Sequence, residues 1–125
     1  MPRFLSDEWL AALAGAAAGA GVAPDVTLAV EHVITGAPAG EVRYGVRIAG
    51  GKVEVVPGGI DTADARFTQD WDTAVAVHRG DLSAQDAFMT GRLEVTGDVR
   101  ALIRTQEAVA LLEEAFAGLR ADTRY

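Results

Sequence analysis

The sequence predicts an α+β fold, with an antiparallel sheet covered by helices on one face. Three observations lead there. Apolar residues alternate with a period of two through residues 26–34 and 41–48. They recur at helical spacing near both ends of the chain. Glycine and proline clusters punctuate most of the changes of period.

Ser6 is placed to cap a first helix, and Asp7 and Glu8 put negative charge in its first turn, where the helix dipole favours it. Leu5, Trp9, Leu10 and Leu13 form its apolar side. Gly19 and Gly21 end it, and Pro24 seals the stop. In the first strand, residues 26–34, one face carries Val26, Leu28, Val30, His32 and Ile34. Residues 36–40 form a turn. In residues 41–48, Val42, Tyr44, Val46 and Ile48 alternate with Glu41, Arg43, Gly45 and Arg47, the pattern of a half-buried antiparallel strand. Gly50-Gly51 makes a tight hairpin into residues 52–56. Pro57-Gly58-Gly59 breaks the sheet pattern, and residues 64–68 resume it with Ala65 and Phe67 inward.

Asp70 caps a helix over residues 71–79, stopped by Gly80. Ser83, with Asp86 three residues on, resembles a capping box that opens a short helix ending in Phe88-Met89. Residues 92–96 form a fifth strand with Leu93 and Val95 inward. Asp98 caps a long final helix, whose stripe is Val99, Leu102, Ile103, Val109, Leu112, Phe116 and Leu119. Leu111 falls outside that stripe. No repeat, linker or low-complexity block divides the chain, so residues 1–125 are expected to form one domain. A chain of this length buries roughly two-thirds of its unfolded surface, enough for a core without staples.

The net charge of −7 argues against nucleic acid as a partner and against electrostatic docking to anionic lipid. With no cysteine, disulfides, thiolate metal sites and cysteine nucleophiles are excluded. Residues 9–23 are mostly apolar but fall short of the ~20 residues that span a bilayer. Asp7 and Glu8 stand where a signal peptide stays positive. A cytoplasmic protein without stable membrane insertion is expected. Half the residues are hydrophobic but only 6% are aromatic, and such small side chains leave room for a cavity.

Bond chemistry finds little support. His32 lies on the apolar face of the first strand, as a core histidine or a polar contact to a ligand. His78 sits in the last turn of its helix, where a cation suits the dipole. No HxH or HExxH spacing offers a metal its three or four ligands. Asp61, Asp64, Asp70 and Asp72 cluster without EF-hand spacing, and Gly15, Gly19 and Gly21 follow a helix rather than a strand, so they form no phosphate loop. Ser6, Ser83 and Thr90 lack a nucleophile elbow. No catalytic residue, metal or cofactor is expected. Phe88 and Met89, about 100° apart on a helix, face the core or a cavity.

These elements and residues together resemble the sterol carrier protein type 2 domain. Its pattern is a helix ending in G-K-L, then A-F-M-x-G-K-L-x-I-x-G-[ND] into the last helix. Gly80, Leu82, Ala87, Phe88, Met89, Gly91, Leu93, Gly97 and Asp98 match it in place, with Arg92 for the lysine and Val95 for the isoleucine. The resemblance implies a five-stranded antiparallel sheet with an apolar tunnel between it and the helices. It implies non-catalytic binding and transfer of a sterol, fatty acid or fatty acyl-CoA. On that footing the expected ligand-binding residues are Val30, His32, Tyr44, Val46, Phe88, Met89, Leu93, Val99, Leu102, Ile103 and Gln106, with His32, Tyr44 or Gln106 at the polar end of the ligand. The expected alternative is an interaction or accessory module of a lipid-metabolising enzyme with the tunnel closed, and the expected protein partner is such an enzyme or a second copy in a homodimer. At ~0.8 kcal/mol per methylene a chain of about 16 carbons offers about 13 kcal/mol gross, against ~4–15 kcal/mol for association and ordering, so binding needs no charged partner.

Overall fold

The structure, a computed structural model, describes residues 3–18, 21, 24–38, 40–119 and 123–125. Helix α1 (Asp7–Ala18) precedes three strands, β1 (Leu28–Ala37), β2 (Gly40–Ala49) and β3 (Lys52–Pro57). Then follow β4 (Ala65–Asp70), α2 (Trp71–Arg79), α3 (Ala84–Met89), β5 (Leu93–Gly97), α4 (Val99–Arg104) and α5 (Gln106–Gly118). The five strands form one sheet in the order β3-β2-β1-β4-β5. The α+β fold with helices over one sheet face is thus present. Gly19, expected to end the first helix, lies outside the described residues.

The first three strands form the expected meander. Gly50 and Gly51, with φ of 58° and 79°, give the β2–β3 turn the backbone twist a tight hairpin needs. One expectation is corrected here: the sheet is mixed. β1 pairs with β4 in parallel, from Val30↔Ala65 to Thr35↔Asp70, while the other three pairs are antiparallel. The cause is the connection after β3. β3 runs in the same sense as β1, and the chain then returns across the outer sheet face to the start of β1's free edge. Gly45 leaves space for that crossing, because a Cβ there would lie 2.3 Å from the Ile60 side chain. Ile60 is buried against the outer face. Beside it, buried Glu31 accepts a charge-assisted hydrogen bond from Arg66 Nε.

The opposite face collects the apolar alternation. Leu28, Val30 and Ile34 of β1, Tyr44, Val46 and Ile48 of β2, and Val53 and Val55 of β3 join one core with Leu10 and Leu13 of α1. Phe4, Trp9, His78, Phe116 and Tyr125 pack ring against ring at its edge. His78 is structural: its Nε2 donates to the Phe116 carbonyl at 3.0 Å, and its Nδ1 meets the Tyr125 hydroxyl. Trp9 Nε1 donates to Thr123 Oγ1 at 2.9 Å, tying α1 to the C-terminal segment.

The second correction is to the final helix, which is two. Thr105 leaves the helical region with φ −112° and ψ 24°, and its hydroxyl donates back to the Ala101 carbonyl at 2.7 Å. A local hydroxyl-to-carbonyl bond competes with helix continuation at that point. The apolar stripe therefore divides between α4 and α5. The side chains of Val109 and Leu112, part of the expected stripe, lie outside those described.

Candidate functional site

Between the covered sheet face and the helices lies a cavity of about 180 Å³. Its floor is the alternation of the central strands: Val30 and His32 from β1, Tyr44 and Val46 from β2, Phe67 and Gln69 from β4. Leu13 of α1, Val77 of α2, Leu102 of α4, and Glu113 and Phe116 of α5 close it from above. The period-two pattern puts every second strand residue on this face of the sheet, and the helices hold their apolar sides over it.

His32 sits at the centre of the floor. Cross-strand pairing places Tyr44 on one side and Phe67 on the other. Its ring stacks on Tyr44 at 4.7 Å and 6°, and on Phe67 at 5.2 Å and 29°. Burial lowers the His32 pKa from 6.5 to about 4, because the charged ring would lose its water. Burial also pushes the Tyr44 phenol up, so both groups are neutral near pH 7. The result is an uncharged wall of stacked rings with polar edges.

Two further polar groups border the cavity. Gln69, flanked by Ile34 and Leu93 in register, holds a buried Oε1 that has no hydrogen-bond partner among the described residues. Glu113, at the rim, has its pKa raised by desolvation. No group of three or more metal-binding side chains occurs among the described residues. Apart from these groups the lining is aliphatic and aromatic.

A family model described as the SCP-2 sterol transfer family matches residues 29–110, which include the sheet from the second residue of β1 onward. The chain belongs to the SCP-2 sterol transfer family. The fold agrees with solved structures. A crystal structure of sterol carrier protein 2 is 19% identical with a TM-score of 0.70, covering 92% of this chain and 98% of that one. The solution structure of sterol carrier protein domain 2 of Helicoverpa armigera is 22% identical with a TM-score of 0.68, covering 92% and 90%. The solution structure of palmitated sterol carrier protein 2 like 2 from Aedes aegypti is 22% identical with a TM-score of 0.58, covering 83% and 88%. Comparison with curated proteins gives no match.

Within this family fold, the structure brings Val30, His32, Tyr44, Val46, Leu93 and Leu102 together around the cavity. It leaves Phe88, Met89, Val99, Ile103 and Gln106 exposed and away from that lining. In α3 the fully buried Ala87 is the residue that packs inward, and the 100° step per residue then turns Phe88 and Met89 outward, 52% and 75% exposed. In α4 Ala101 and Leu102 face in, so Val99 and Ile103 face out. Gln106 opens α5 just past the break at Thr105 and shares its exposed face.

Sequence reasoning missed Leu13, Phe67, Gln69, Val77, Glu113 and Phe116, among others, as cavity residues. Gln69 had a faint signal: it continues the inward series Ala65, Phe67 by one more step, on a strand that runs two residues beyond the expected 68. Glu113 had none, since a carboxylate on an amphipathic helix reads as solvated.

Proposed function

We propose that the chain binds and transfers an apolar lipid without catalysing a reaction, with the lipid's hydrocarbon in the cavity between sheet and helices. The observation that carries this reading is the apolar cavity over His32, Tyr44 and Phe67. Family membership supports it, as does the palmitated state of one structural neighbour. The lining residues Val30, His32, Tyr44, Val46, Leu93 and Leu102 are the proposed contacts. At about 180 Å³ the space falls below the ~300–1,000 Å³ of ordinary ligand pockets. It exceeds the roughly 150 Å³ cavity that admits benzene. A long chain therefore exceeds the cavity as it stands.

Titration with a fluorescent aliphatic probe tests the reading. Saturable binding that is lost in Leu102→Asp and kept in Phe88→Asp is expected. Equal binding by a folded Leu102→Asp variant would remove the cavity as the site.

A second reading is favoured by the outer surface, where Phe88, Met89, Val99 and Ile103 stay exposed. There the domain serves as an accessory module, docking a lipid-metabolising enzyme or a second copy. Native mass spectrometry separates the two: a bound lipid supports the carrier, a tight protein complex without lipid the module.

A further inference from the structure

The cavity opens to solvent beside Glu113, whose side chain belongs to the lining and is also exposed. The carboxyl makes no ion pair or hydrogen bond among the described residues, and desolvation alone pushes its pKa up. No lysine or arginine lines the cavity among the described residues. His32 and Tyr44, also on the lining, are neutral near pH 7. The helix that carries Glu113 deepens the negative potential there: α5 holds Glu107, Glu113 and Glu114 and no basic residue. An apolar space thus ends in an acid that lacks a counter-charge.

We propose that the site takes amphiphiles with a protonated amine head, the aliphatic tail in the cavity and the ammonium paired with Glu113 at its mouth. Tails of equal length gain equally from leaving water, so the head group decides among them. An ammonium supplies the charge that Glu113 lacks and has three donors for its oxygens. Standing at the mouth, it keeps part of its own hydration and avoids most of the desolvation penalty of a fully buried pair. Partial burial of Glu113 makes the pair stronger than one on open surface. A carboxylate or phosphate head in the same place meets like charge, with no cation on the lining to offset it. A hydroxyl head gains no Coulomb attraction. This selectivity rests on the lipid-carrier reading and adds the head-group chemistry of the same cavity.

The test uses the full chain and three probes of equal carbon number: a primary amine, a primary alcohol and a fatty acid, each below the concentration at which it self-associates. Competition against an uncharged fluorescent aliphatic probe gives each affinity near neutral pH and at low salt. The amine is expected to bind tightest, about three- to thirtyfold above the alcohol, between an exposed ion pair and a charge-assisted hydrogen bond. The acid is expected to bind weakest. Glu113→Gln is expected to bring the amine down to the affinity of the alcohol, and Glu113→Lys to reverse the order of amine and acid. Glu114→Gln makes the same charge change one residue along and off the lining, and is expected to leave the amine's advantage in place. The proposal is overturned if the alcohol or the acid binds as tightly as the amine, or if the advantage survives Glu113→Gln. It is overturned equally if Glu114→Gln removes the advantage as fully, which would assign it to the net charge of −7 and not to the mouth. Failure of all three probes to bind would instead sink the carrier reading.

Discussion

His32 makes the stability of the fold depend on pH. Its ring lies between Tyr44 and Phe67 and titrates at about 4, against 6.5 for a free histidine. Between those values the unfolded chain holds the extra proton. Stability is therefore whole above pH 6.5 and falls as the pH drops toward about 4, by a difference on the order of 3 kcal/mol. Glu113, raised by desolvation, works in the opposite sense. Urea unfolding at about pH 7 and about pH 4.5 checks this: His32→Phe, which keeps a stacked ring, should lose much less stability on acidification. An equal fall in both proteins would contradict the assignment. Glycines give a second contrast. Gly97 has φ +96°, and a Cβ there would lie 2.5 Å from the Asp64 carbonyl oxygen, so Gly97→Ala should cost about 1–3 kcal/mol. Gly15 lies in α1 with nothing within 4 Å, so Gly15→Ala should stabilise by about 0.5–1 kcal/mol. Denaturation midpoints decide both. At this scale the alternation of Val30, His32, Tyr44 and Val46 was readable, because a strand face follows from a period of two. Phe88 and Met89 were not, because the composition of a six-residue helix does not say which of its residues packs inward.

The elements were mostly legible because their ends are chemically marked. Asp70 Oδ1 accepts from the Thr73 backbone N–H at 2.8 Å, and Gly80 closes the same helix in the left-handed region. Ser83 Oγ accepts from Asp86 N–H at 3.0 Å, as its sequence position suggested. Asp70→Ala should destabilise by about 0.5–2 kcal/mol, the usual effect of losing a cap. Chemical denaturation reads that, and no change would mean that α2 is held by packing alone. Two features escaped the sequence. The break at Thr105 depends on one hydroxyl turning back to Ala101, a choice that helical periodicity does not reveal. The parallel pairing of β1 with β4 depends on where the crossing after Pro57 lands, and it is Ile60 over Gly45 that fixes the path.

For the whole molecule, the sheet alternation gives one apolar face, α1, α2, α4 and α5 cover it, and the cover is incomplete. The remaining space, about 180 Å³, is where the account places a ligand. Among the described residues no helix is long and apolar enough to cross a membrane. Half of the expected site lay on the sheet and was visible as alternation. The rest depended on how helices stack over it, which is a tertiary property: Leu102 faces in and Ile103, beside it, faces out. The same opposition supplies the most direct test. Methyl NMR spectra of the labelled protein, recorded while a long-chain alcohol is titrated in, report which side chains meet the ligand. The account predicts large shifts and ligand contacts at Val30, Val46, Leu93 and Leu102, with Val99 and Ile103 nearly unmoved. Shifts concentrated at Val99 and Ile103, with the methyls of the cavity silent, would contradict it.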